Sequence, residues 1–135
     1  MPNKIGKSNP VLEGVQIEDF NFIRKLGQGA YGKVYLASYN GQNYAVKKLS
    51  KDFLIRTQKI NSVFRERDLL RNNKGCGFLP KMHHAFQDEE NLYLVMEYIP
   101  NGSLSQMLIG ARNKGFTKEV VQFYAAQMVI TLEYL

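Results

Sequence analysis

Three glycines, Gly27, Gly29 and Gly32, stand between two β-forming stretches and constrain this chain more than any other feature. The run Gly27-Gln28-Gly29-Ala30-Tyr31-Gly32-Lys33-Val34 has G-x-G-x-x-G spacing, which lets backbone amides approach a phosphate without side-chain obstruction. The residues after the last glycine decide the fold. A dinucleotide-binding fold needs a helix to begin there, with its N-terminus on a pyrophosphate. Here Val34-Tyr35-Leu36-Ala37 leads instead to Asn40-Gly41, the strongest short hairpin signal, so the glycines join antiparallel strands. Taken alone, the motif is also compatible with a plain glycine-rich turn.

Alternation and turn chemistry extend the layout. A first strand is expected from Ile17 to Leu26, a second from Val34 to Tyr39 and a third from Gln42 to Leu49. Between Lys51 and Asn73 the period changes: Ile60, Val63, Phe64, Leu69 and Leu70 recur at helical spacing, predicting one amphipathic helix that ends at the Asn73 to Gly77 breaker cluster. Two more strands, Lys81 to Phe86 and Leu92 to Tyr98, flank the polar turn 87–91. Ser103 and Gln106 form a capping box for a short helix reaching about Ala111. A last helix starts near Thr117 with Val121, Tyr124, Met128, Leu132 and Leu135 on one stripe. The fold class is therefore α+β: a five-stranded antiparallel sheet with one packed helix, followed by two helices. The expected divisions are a flexible arm over 1–16, a sheet domain over 17–99 and a helical segment over 100–135.

Composition narrows the function classes. One cysteine, Cys76, excludes a disulfide framework, and no stretch approaches 18 apolar residues. The amino terminus has no apolar run of a secretory signal, so a cytoplasmic location is expected, with the nucleus as the alternative. The net charge of +6 is scattered along the chain, unlike the clustered patch of a nucleic-acid binder, so neither nucleic acid nor membrane is expected as a partner.

Two charged residues sit where charges are uncommon. Strand alternation puts Ala45, Lys47 and Leu49 on one face and Tyr44, Val46 and Lys48 on the other. A cation between Ala45 and Leu49 needs an anionic partner or must snorkel at an edge; Lys48 is the less favoured candidate for the same role. Glu66 lies three residues after Val63 and four before Leu70, on the apolar stripe of the helix, so it faces the sheet and can pair with Lys47. His83 and His84 fall on opposite strand faces and read as structural.

With these residues in hand, the chain resembles the amino-terminal lobe of eukaryotic protein kinases, from the glycine loop through Ala45-Val46-Lys47 to the helix glutamate, over Phe20 to Leu135. Lys51-Asp52-Phe53-Leu54, Arg65 to Leu70, Asn91 to Tyr98 and Phe123 to Gln127 are similar to the AGC group of serine/threonine kinases, and within it the microtubule-associated kinases look most similar. The resemblance implies ATP as cofactor. Gly27, Gln28, Gly29, Ala30, Tyr31, Gly32 and Lys33 would cover its phosphates, Lys47 would contact the α- and β-phosphates, and Glu66 would orient Lys47. Leu26, Val34 and Ala45 would roof the adenine, with Met96 as gatekeeper, Glu97 to Ile99 as hinge and Leu104 beneath the base. Leu70 and Met82 match an apolar spine. Ser103 stands where many members carry a carboxylate, so a preference for basic substrates does not carry over.

The family's His/Tyr-Arg-Asp, Asp-Phe-Gly and Ala-Pro-Glu motifs do not occur in the sequence. The expectation is that the catalytic half and the Mg2+ ligands lie in a missing part, that a protein substrate belongs to the complete kinase, and that this polypeptide alone is inactive. The alternative is a truncated non-catalytic protein that binds nucleotides or partners.

Overall fold

The computed structural model describes residues 12–111 and 114–135. Asn40 and Gly41 adopt φ of 47° and 74°, the left-handed pair that a tight hairpin requires, and they join β2 (Gly32–Tyr39) to β3 (Gln42–Ser50). β1 (Asn21–Gln28) pairs antiparallel with β2, while β3 pairs with β5 (Asn91–Glu97) and β5 with β4 (Met82–Gln87). The sheet order is β1-β2-β3-β5-β4, as a five-stranded antiparallel sheet.

Residues directly opposite across these ladders share a face, so Val34, Lys47 and Leu94 lie on one side and Lys33, Lys48 and Tyr93 on the other. Two cores result. On the inner face Leu49 and Leu94 meet Leu54 and Val63 from two helices, α1 (Lys51–Arg56) and α2 (Ile60–Asn72). On the outer face Ala37, Tyr44, Val46, Tyr93 and Val95 meet Leu12, Val15, Ile17 and Phe20. Each fully buried Leu or Val contributes about 1.5–3 kcal/mol, so the two-sided burial fixes which face Lys47 occupies.

Three expectations change. Ile17–Asp19 is a 3-10 helix rather than strand, and its capping box between Gln16 and Asp19 delays β1 to Asn21. The expected arm 1–16 lies outside the described residues at 1–11, but Leu12 and Val15 are buried, because these apolar side chains cover the outer face of the sheet. The single helix expected over 51–73 is two. Gln58 has φ of 55°, which no α-helix accommodates, and the ends are satisfied locally: Thr57 Oγ1 donates to the Phe53 carbonyl at 2.7 Å and Lys59 N–H to Leu54 at 2.9 Å.

The described residues form two compact units, 12–73 with 80–98, and 74–79 with 99–111 and 114–135. In the second unit, α3 (Leu104–Gly110) starts from the Ser103–Gln106 capping box, and Thr117 caps α4 (Lys118–Tyr134). The Lys74 N–H donates to the Tyr134 hydroxyl at 2.9 Å. Val121, Met128 and Leu132 on α4 are 52%, 54% and 70% exposed. No helix among the described residues is long and apolar enough to cross a membrane.

Candidate functional site

The hairpin between β1 and β2 carries the glycines as a flap, closed by the Gly29 N–H donating to the Gly32 carbonyl at 2.8 Å. A Cβ at Gly32 would lie 2.3 Å from the Lys48 carbonyl oxygen and 2.9 Å from Leu49 Cδ2, so only glycine lets the flap close onto β3 there. Gly27 meets nothing within 4 Å and Gly29 only the Gly32 carbonyl at 4.0 Å. The protein's own packing therefore does not require glycine at 27 or 29.

On the inner face, Lys47 Nζ donates to both carboxylate oxygens of Glu66, at 2.8 and 2.9 Å. Glu66 comes to this place because Val63 and Leu70, on the same stripe of α2, are buried. The side chains of Lys47 and Glu66 are 19% and 39% exposed, so the pair is half-desolvated and still open to a ligand. Lysine has three N–H donors; the carboxylate takes two, and the third is available to an anion. Lys48, the other candidate, lies on the outer face with its ammonium 5.9 Å from the centre of the Tyr93 ring.

Val34, Ala45 and Met96 share the face of Lys47, and Leu26 stands half-buried beside the β1 irregularity between Lys25 and Gly27. Ala45 and Met96 are buried and pair across β3 and β5. Leu70 is buried on α2, and Met82 packs against the inner cluster. Glu97 is tied to Lys81, its N–H donating to the Lys81 carbonyl at 2.8 Å and its carboxylate accepting from the Lys81 N–H at 3.1 Å. Any contact of Glu97 backbone with a ligand therefore falls to its carbonyl.

Lys33 pairs with Lys48, so its side chain leaves by the outer face. A cleft of about 450 Å3 opens beside the flap, lined by Gly29, Tyr31 and Gly32 of the flap and by Lys33, Lys48 and Arg56 among others; neither Lys47 nor Glu66 lines it. Ala30 and Gln28 are exposed, with Lys25 Nζ donating to Gln28 Oε1 at 3.5 Å. Ile99 and Leu104 belong to the second unit, Ile99 exposed and Leu104 half-buried at the start of α3.

His83 stacks edge-on to Tyr44 and His84 tilts against Phe86. Burial, with Lys81 near His83 and Arg71 near His84, holds both imidazoles below the ordinary histidine range and favours their neutral form. Among the described residues, no group of three or more His, Cys, Asp or Glu is placed to hold a metal ion. The described residues thus fit an anionic group such as the phosphates of ATP, through the third Lys47 donor and the open glycines.

The sequence profile of the family described as protein kinase domain matches residues 20–135. A 3-phosphoinositide-dependent protein kinase B of Dictyostelium discoideum is 42% identical over 121 residues, 87% of this chain and 13% of that protein. A cAMP-dependent protein kinase catalytic subunit of Arthrobotrys oligospora is 37% identical over 121 residues, 88% of this chain and 23% of the relative. A protein kinase C of Drosophila melanogaster is 37% identical over 119 residues, 87% of this chain and 16% of the relative. The chain thus spans less than a quarter of the length of each.

Proposed function

The chain belongs to the protein kinase family, among serine/threonine kinases of the AGC type, and from that premise we propose that it is the ATP-binding portion of an enzyme that transfers the γ-phosphate of ATP to Ser or Thr of a protein. The Lys47–Glu66 pair carries this reading. Both of its partners break the polar-outside pattern of their own elements, and each is explained by the other. In the proposed complex the flap amides and the third Lys47 donor hold the phosphates, so that charge is met by fixed donors that need no reorganisation. Glu66 keeps the ammonium aimed. Val34, Ala45 and Leu26 offer apolar surface to the base, and Met96 limits the depth of that surface.

Bound Mg2+ would neutralise the phosphates. The residues that hold it, and the base that accepts the substrate hydroxyl proton, are assigned to other parts of the protein, since the sequence carries neither His/Tyr-Arg-Asp nor Asp-Phe-Gly. The expected behaviour of the 135-residue chain is ATP binding at a Kd of roughly 1 mM or weaker, about 4 kcal/mol, with no phosphotransfer above a Lys47→Met control. Calorimetry with ATP tests the binding, and radiolabel transfer to a generic protein substrate tests the rest. Micromolar affinity, affinity indifferent to Lys47→Met, or reproducible transfer would each contradict the proposal.

A further inference from the structure

Tyr31 is the side chain at the tip of the glycine flap, two residues after Gly29 and just before Gly32, where a solvent-exposed position is the ordinary outcome for a hairpin tip. It is half-buried instead, packed against the inner cluster of Leu49, Leu54, Val63 and Leu94 while also lining the cleft beside the flap. The ammonium of Lys59 stands 5.8 Å from the centre of its ring, within cation–π range. Lys59 is also the hinge pin of the α1–α2 joint. Its N–H donates to the Leu54 carbonyl at 2.9 Å, and its own carbonyl accepts from Val63 at 3.2 Å, opening α2.

Lys59 is the N-cap of α2, and Val63, Glu66 and Leu70 follow it at spacings of four, three and four, these last three on one stripe of the helix. Val63 and Leu70 on that stripe are buried. The same rigid element is thus held at two places by the nucleotide side of the sheet: by Tyr31 at its entry and by Lys47 two turns on. We infer that Tyr31 and Lys59 form a clasp that positions the glycine flap on α2, so that any movement separating Glu66 from Lys47 also loosens the flap. Tyr31 and Lys59 are positioning residues in this scheme. The inference rests on the nucleotide-binding reading above, and it adds a mechanical link between flap closure and helix position.

The opposing possibilities make different predictions. A ring that merely fills the core would leave nucleotide affinity unaffected when Lys59 loses its charge, and a ring that blocks the phosphate site would tighten binding when removed. The test is an ATP titration of the 135-residue chain and its Tyr31→Ala, Tyr31→Phe, Lys59→Met and Lys47→Met variants, with amide exchange followed at the flap and along α2. Lys59→Met keeps the aliphatic stem that packs on the ring. On the scale of a partly exposed cation–π contact, it is expected to weaken ATP about 2- to 5-fold and to speed exchange at Gly29 and Gly32 in the absence of nucleotide. Tyr31→Ala is expected to weaken ATP at least as much, and Tyr31→Phe to restore most of that loss. Combining Tyr31→Ala with Lys59→Met is expected to add nothing further. Should Tyr31→Ala fail to fold, Lys59→Met and the exchange rates decide alone. Unchanged affinity and flap exchange in Lys59→Met, alongside weakened ATP in Lys47→Met, overturn the clasp and leave nucleotide binding standing. Tighter ATP binding in Tyr31→Ala overturns it as well. Indifference of ATP binding to Lys47→Met overturns both readings.

Discussion

Breaking the Lys47–Glu66 pair from either side has unequal consequences, because its two members are unequally buried. At 2.8 Å and an effective dielectric of about 20, the Coulomb attraction is on the order of 6 kcal/mol. Desolvation of both groups offsets most of it, since exposed pairs net about 0–1 kcal/mol and removing one partner of a fully buried pair costs about 3–5 kcal/mol. With Lys47 19% and Glu66 39% exposed, the pair falls between these limits, and a coupling of about 1–2 kcal/mol is expected. Lys47→Met strands a carboxylate that can turn to water, at a cost of about 0.5–1 kcal/mol, whereas Glu66→Gln strands the more enclosed ammonium and costs about 1–2 kcal/mol. A double-mutant cycle in urea unfolding, read near neutral pH and without nucleotide, gives the coupling directly. A coupling below about 0.3 kcal/mol, or a larger loss for Lys47→Met than for Glu66→Gln, would mean that the unequal burial of the two groups does not set their energetics.

Gly32→Ala should cost about 2 kcal/mol or more in thermal unfolding, since its Cβ would lie 2.3 Å from the Lys48 carbonyl oxygen. Gly27→Ala, with open space around it, should leave the melting temperature almost unchanged while weakening ATP in titration. Burial and a hydrogen bond to Asp88 push the Tyr93 hydroxyl up to about 12, so the neutral phenol is favoured by folding. That contribution is complete below the unfolded tyrosine value near 10 and is lost as pH rises toward about 12. Tyr93→Phe should flatten this alkaline slope in pH-dependent unfolding, and an unaltered slope would contradict the assignment. The Asp88 carboxylate is held low chiefly by the Tyr93 hydroxyl and by the Asn91 N–H, so its contribution is present above the unfolded aspartate value and disappears as pH falls through the lowered one.

Much of the sheet could be read directly because its signals are local. Asn40-Gly41 fixed one hairpin, period-two alternation separated Lys47 from Lys48, and the Val63–Glu66–Leu70 spacing turned a carboxylate toward the sheet. The break between α1 and α2 has no such signal. Neither glycine nor proline marks Thr57-Gln58, and the kink is secured by hydrogen bonds to Phe53 and Leu54 that only the folded chain displays. Leu12 and Val15 likewise lack periodicity, and their burial depends on an outer sheet face assembled from strands far along the chain. Tyr31 and Lys59 are 28 positions apart in numbering, so their contact is a property of tertiary packing. For Lys33, loop membership spoke only for a backbone contact, and its pairing with Lys48 sends the side chain to the other face.

Covalent capture reports which lysine sits at the phosphates. An ATP derivative carrying an acyl group on its terminal phosphate is attacked by a neighbouring amine, which forms an amide and releases the nucleotide. With this protein the amide is predicted on Lys47, suppressed by excess ATP and diminished in Gly27→Ala; equal labelling of Lys33, Lys48 and other surface lysines, or labelling of Lys47 that ATP does not suppress, would contradict a phosphate site beneath the glycine flap.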